Sequence, residues 1–242
     1  MGVLGGMGPE ATLAFYARLI AATPAAKDQD HLQVILNSNP RIPDRTAAVL
    51  GEGPSPVPAM IESLGALARA GASFVVIPCV SAHIFIDELW RASPLPVISI
   101  LDVVAEAIAA HPAGLRRVAL LATSGTLRAG VFERRLKASG VDVLRPDEAD
   151  QRIVSASIYG VKAGATTAQR RTIAADLQGV TDRLIARSAQ GVVLGCTEIP
   201  LVFPAASAGV PVFDSLKLLA EAAVAAAGLP PVVVESPKQG EK

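Results

Sequence analysis

The chain has 242 residues, of which 51% are hydrophobic, and its 22 basic and 22 acidic side chains give a formal net charge of zero. A neutral chain without a basic run offers nucleic acid little to hold. No apolar stretch reaches, uninterrupted, the roughly 18 residues that a membrane span requires.

The first predicted element is a strand at Val3-Leu4, with no basic leader or cleavage site before it, so no signal peptide is expected. A helix follows over 10–22, a strand over 32–36, a helix over 57–70, a strand over 74–77 and a helix over 84–91. Pro54, Pro56 and Pro58 form a stiff loop rather than a linker. Next come a strand over 97–100, a helix over 103–110, a strand over 118–121, a helix over 128–139 and a strand over 141–144. The last elements are a helix over 167–190, strands over 192–194 and 210–213, and a helix over 216–227. Residues 236–242 read as a polar, disordered tail. Strands alternating with helices predict an α/β fold with a mostly parallel sheet.

The two halves of the chain echo each other. Leu4 and Leu121, each ending a strand, are 117 residues apart, and so are Cys79 and Cys196; Pro96 and Pro211 are 115 apart. Three strand ends in one order at nearly one spacing predict an internal duplication, with chance similarity among Val-rich strands as the alternative. Duplication implies two pseudo-symmetric lobes, one from 1–98 plus 213–235 and one from 99–212, with strand ends facing a shared cleft.

The chain's two cysteines each close an apolar run, Phe74 to Cys79 and Gly191 to Cys196. A lone cysteine there reads more readily as a small buried hydrophobe, and a disulfide is disfavoured in the reducing, cytoplasmic compartment expected for this chain. Two thiols at matched strand ends, where α/β sheets bind ligands, point instead to a facing acid/base pair. At a helix N-terminus each thiol is expected to have a lowered pKa. His83 and Glu198 stand close enough in sequence to orient or tune them, with a purely structural hydrogen bond as the equal alternative. His31, His83 and His111 lack metal-ligand spacing, so no metal is expected. The loop Gly5-Gly6-Met7-Gly8-Pro9 and its counterpart Thr123-Ser124-Gly125-Thr126 each precede a helix start that could hold a carboxylate, although either alone could be an ordinary βα turn.

Five segments taken together resemble the aspartate/glutamate racemase superfamily, and most of all its aspartate racemase branch. They are Gly5-Gly6-Met7-Gly8-Pro9-Glu10-Ala11-Thr12, Asn39 to Thr46, Pro78-Cys79-Val80-Ser81-Ala82-His83, Ile158 to Gly164 and Gly195-Cys196-Thr197-Glu198-Ile199-Pro200. The resemblance implies two lobes, no cofactor and a cysteine from each lobe as catalytic base and acid. It implies that Arg45 and Lys162 hold the substrate's side-chain carboxylate. Met7, Val80, Ser81, Thr123, Gly125, Thr126 and Thr197 would hold the rest of the molecule. Relatives usually read Pro-Cys-Asn-Thr-Ala-His, so Val80 replaces an Asn and Ser81 a Thr. Val80 cannot make the hydrogen bonds that the Asn amide makes near Cα.

The expected reaction is inversion at Cα of aspartate or a related acidic amino acid, which is the expected small-molecule partner; self-association as a homodimer is left open. Other superfamily activities remain alternatives: a dicarboxylate isomerase or decarboxylase, or a hydantoin racemase. A catalytically silent protein that binds an acidic metabolite is an alternative of another class.

Overall fold

The computed structural model describes residues 1–203, 205 and 208–232; the tail expected from 236 lies outside the described residues. Among them the strands are β1 (Gly2–Gly5), β2 (Ile35–Ser38), β3 (Val75–Val76), β4 (Val97–Ile98), β5 (Arg117–Leu121), β6 (Asp142–Leu144), β7 (Val192–Leu194) and β8 (Val212–Asp214). The helices are α1 (Pro9–Ala22), α2 (Arg45–Leu50), α3 (Val57–Arg69), α4 (Ile86–Ala92) and α5 (Ile100–Ala109), then α6 (Ser124–Ala129), α7 (Val131–Leu136), α8 (Glu148–Lys162), α9 (Thr167–Ala186) and α10 (Ser215–Ala226).

The strands form two four-stranded parallel sheets with the same order, β2-β1-β3-β4 and β6-β5-β7-β8. Each sheet reverses direction of winding between its first and third strands, and the crevice at such a switch point is where ligands bind in open α/β sheets. The loops that flank those two crevices are the ones carrying Gly6 to Gly8, Cys79, Thr123 and Cys196. The second sheet runs on through Phe213 and Asp214, so the lobe boundary placed between 212 and 213 falls inside β8.

Strand alternation divides the apolar residues between three layers. Val3, Val76, Val118, Leu120 and Val193 face a central layer built with α1, α5 and α10, through Phe15, Leu19, Ile100, Val104, Leu216 and Leu219. Leu4, Val75 and Ile77 turn the other way, onto Met60 and Leu64 of α3. In the second lobe Ala119, Leu121, Val192 and Leu194 pack on Val154 and Ile158 of α8 and Leu177, Val180 and Leu184 of α9.

Local chemistry moved several element boundaries. The strand expected over 32–36 lies at Ile35–Ser38, because Gly2 to Gly5 pair with it in register; as an edge strand it exposes alternate positions, Leu36 and Ser38. Helix α5 begins at Ile100, three residues early, because Ser99 Oγ accepts from Asp102 N. The helix expected over 128–139 is broken at Gly130, whose φ of 60° closes α6 before α7 begins. Helices α2 and α8 were not expected; they start on the caps Asp44 and Asp147.

Helix α9 stops earlier than 190 because Ser188 adopts a left-handed conformation, φ 69°. Such a backbone strains a side-chain-bearing residue. Ser188→Gly is therefore expected to raise unfolding stability by ~0.5–1 kcal/mol, offset in part by the freer unfolded chain. Urea unfolding checks this; a destabilised variant would mean that the Ser side chain supports the turn.

Candidate active site

Cys79 and Cys196 end the central strands of the two sheets, and both are free thiols with only 4% exposure. Cys79 caps a six-residue 3-10 helix, Val80–Phe85; Cys196 is followed by Thr197, Glu198 and a three-residue 3-10 turn, Ile199–Leu201. Neither thiol stands at the start of a long α-helix, so little dipole acts on it. The expected lowering of the Cys196 pKa is reversed. Burial pushes the thiol well above its ordinary value, the Glu198 carboxylate adds to this, and Lys162 opposes it.

Glu198, 2% exposed, joins two parts of the site. Its Oε2 accepts from Cys196 Sγ at 2.9 Å and its Oε1 from Gly8 N at 3.1 Å. The helix start expected to hold a substrate carboxylate thus already faces one from the protein itself. Gly6 N is likewise taken, donating to Thr12 Oγ1 at 2.9 Å. Gly6 is required by geometry: its φ is +92°, and a Cβ there would lie 2.5 Å from the Asn39 backbone.

Arg45 and Lys162 come from opposite lobes, the first from the start of α2 and the second from the last turn of α8. Arg45 is 6% exposed; Nη1 donates to the carbonyls of Ile42 and Pro43, and Nη2 to that of Met7 at 3.2 Å. Its Nε is buried without a hydrogen-bond partner among the described residues. Burial works against the charge of Lys162, yet Glu198, Cys196 and Cys79 outweigh it and hold its pKa above the ordinary lysine value, with Arg45 opposing. That one ammonium feels both thiols, the carboxylate and the guanidinium brings residues from both lobes into one electrostatic site. A cavity of about 340 Å³ adjoins it, lined among others by Met7, Arg45, Lys162 and Glu198.

Three buried hydroxyls meet across the lobes. Ser81 Oγ lies 3.1 Å from Thr123 Oγ1 and 3.2 Å from Thr126 Oγ1, and the two threonines are 3.0 Å apart. Gly125 lets this happen: a Cβ would meet the Thr46 Cα at 2.9 Å, so only glycine lets α6 lie this close to α2. Thr197, between Cys196 and Glu198 in sequence, is buried as well, its Oγ1 3.5 Å from Glu198 Oε2. Val80 instead packs into the central apolar layer with Val3, Val76 and Ile100.

His83 bonds the backbone rather than a thiol. Nδ1 donates to the Cys79 carbonyl at 2.9 Å, and Nε2 accepts from Ile100 N at 3.2 Å. Burial lowers its pKa to about 4, which the backbone bonds and Asp102 only partly resist. The folded value lies below the unfolded one, so the neutral ring's contribution is complete above about pH 6.5 and is lost as pH falls through about 4. That loss is on the order of 3 kcal/mol. Urea unfolding at neutral and acid pH should show His83→Asn losing less stability on acidification than the native protein; equal slopes would exclude this role.

Sequence reasoning placed no helix over 148–162, and so gave no account of how Lys162 reaches the site. The signal was present in Asp150, Val154, Ile158 and Val161, which are buried at helical spacing.

Residues 4–223 match the family model described as Asp/Glu/Hydantoin racemase. The chain is 24% identical over 233 residues to the broad specificity amino-acid racemase RacX of Bacillus subtilis, covering 93% of this chain and 96% of that one. Among solved structures, Picrophilus torridus aspartate racemase superposes with a TM-score of 0.84 at 30% identity, covering 96% of this chain and 95% of that one. An aspartate racemase homologue from Pyrococcus horikoshii gives a TM-score of 0.72 at 26% identity, covering 94% and 98%. A match over nearly the whole chain, on the same two-sheet architecture, means that this protein belongs to the Asp/Glu/hydantoin racemase family.

Proposed function

We propose that the protein is a cofactor-independent racemase that inverts Cα of aspartate or a related acidic amino acid with two thiols. The observation that carries this reading is a pair of free, buried thiols, Cys79 and Cys196, at matching places in two sheets of one strand order, with Arg45, Lys162 and Glu198 lining one cavity. One thiolate removes the Cα proton from one face while the opposite thiol delivers its own proton to the other. The pair starts with one thiol charged and one neutral, and the roles exchange after each inversion. The developing negative charge on the α-carboxylate is stabilised by the preorganised hydroxyls of Ser81, Thr123 and Thr126. Arg45 Nε and the Lys162 ammonium are suited to the distal carboxylate, since hydrogen bonds between ionised partners are the strong ones. The aspartate racemase activity named for the Picrophilus torridus relative supports the same substrate class. The reducing cytoplasm suits two free thiols.

Incubation with L-aspartate in deuterated water tests this. Deuterium at Cα with loss of optical rotation is the expected result. Activity should survive EDTA and hydroxylamine and be abolished by thiol alkylation. Binding of aspartate without exchange would instead identify a sensor of acidic metabolites.

A further inference from the structure

The thiols occupy equivalent places in the two sheets, yet their neighbours differ in one chemical respect. Two residues past Cys79 stands Ser81; two residues past Cys196 stands Glu198. Both side chains reach the opposite half of the molecule. Ser81 meets Thr123 and Thr126, which follow β5. Glu198 Oε1 accepts from Gly8 N, which follows β1. Only the carboxylate has a second oxygen to turn back, and Oε2 accepts from Cys196 Sγ at 2.9 Å. Glu198 is almost wholly buried, so little water screens its charge from the thiol. Ser81, at the matching place, sets no charge against Cys79.

We propose that Glu198 breaks the twofold symmetry of the thiol pair, keeping Cys196 protonated as the resting proton donor and leaving Cys79 as the resting base. The assignment rests on the racemase reading above, because a pseudo-symmetric site gives no reason to prefer either thiol. A carboxylate that accepts from a neutral thiol favours that form, and a thiolate in its place would lose the bond and face a like charge. Burial of Cys196 acts in the same direction, while Lys162, reaching in from α8, acts against it. Lys162 also feels Cys79 and, with opposite sign, Arg45 from α2. Its ammonium favours one thiolate in the site, and Glu198 directs that charge to Cys79. In the first inversion Cys79 Sγ takes the Cα proton and Cys196 Sγ gives its own to the opposite face, so no proton is gained or lost. Enzyme in the opposite form, with Cys79 protonated, is then the less stable one, and it resets by turning over the other enantiomer or by exchanging protons with solvent. Glu198 is thus a positioning residue, acting through Cys196.

The chain has two cysteines, so Cys79→Ala leaves Cys196 as the one thiol whose ultraviolet thiolate absorbance can be followed against pH. That titration is expected above the ordinary cysteine range. Adding Glu198→Gln should raise the thiolate fraction at a fixed pH by about tenfold, a shift of about one pH unit, and Glu198→Asp should keep part of the native behaviour. An unchanged midpoint in the Gln variant, or a Cys196 that titrates below the ordinary range with Glu198 intact, would overturn the assignment. A second measurement needs no substitution at Glu198. Native protein treated with a limiting amount of iodoacetamide at neutral pH should carry the label on Cys79, since the thiolate is the nucleophile; label chiefly on Cys196 would also overturn it. Neither readout needs turnover, so failure here is distinct from failure of the deuterium-exchange test.

Discussion

Cys79→Ala and Cys196→Ala should each lower the rate of aspartate racemisation by roughly 10²–10⁴-fold, the usual contribution of a positioned acid or base. The two effects should be alike in size, because inversion needs a group on each face and neither thiol has a substitute nearby. Glu198 is bonded to Cys196 and Gly8, and His83 to the Cys79 backbone, so both are held away from a substitute role. Isotope exchange separates the two half-reactions. A variant that keeps one thiol can still take a proton from one enantiomer, or eliminate a leaving group from Cβ, without completing inversion. Racemisation at a near-native rate by either alanine variant would exclude a two-thiol mechanism, whatever the exchange data show.

A smaller effect is expected at Lys162, and it should depend on the substrate. Lys162→Met keeps most of the side-chain volume but removes the ammonium. Loss of a hydrogen bond to a charged group costs about 1.5–3 kcal/mol, so kcat/KM for aspartate should fall by roughly 10–100-fold. A neutral amino acid such as alanine, lacking the distal carboxylate, should be far less affected. Arg45→Leu should show the same selectivity, with an added loss of stability. Three backbone carbonyls, of Met7, Ile42 and Pro43, would lose their donors, and buried acceptors without partners are costly. An equal loss for aspartate and alanine in Lys162→Met would assign the lysine to tuning the thiols rather than binding the substrate.

How legible these features were in the sequence depended on whether they arise locally. The strand ends that deliver Cys79 and Cys196 were readable because parallel strands buried on both faces leave continuous Val-rich runs. The common spacing of Leu4 with Leu121 and of Cys79 with Cys196 anticipated two sheets of one strand order. Helix α8 was missed because its exposed face is strongly polar and dilutes the apolar stripe of Val154, Ile158 and Val161. The state of Cys196 differs from the expectation for another reason. A helix start can be guessed from local sequence, but the 3-10 turns after both cysteines and the burial of Glu198 beside Cys196 are tertiary outcomes. Val80 entered as a substrate neighbour through the family resemblance alone, and no pattern in the sequence shows that its side chain packs in the central apolar layer. An Asn there would have to bury its amide among Val3, Val76 and Ile100.

The central apolar layer has a bearing on how this protein holds together as a unit. Val3, Phe15 and Val76 share it with Val118, Val193 and Leu216, so neither sheet covers its inner face without help from the other half. A gene cut after residue 98 would yield two fragments, each exposing a broad apolar surface of the kind that drives aggregation. Heat or denaturant should therefore melt both sheets in one cooperative transition rather than in two steps. The same continuity restricts how such an enzyme can admit its substrate. Prising the sheets apart would expose that layer to water, so the movement that uncovers two thiols at 4% exposure is best confined to the rim, where the loops after β1 and β7 meet through the hydrogen bond from Gly8 N to Glu198.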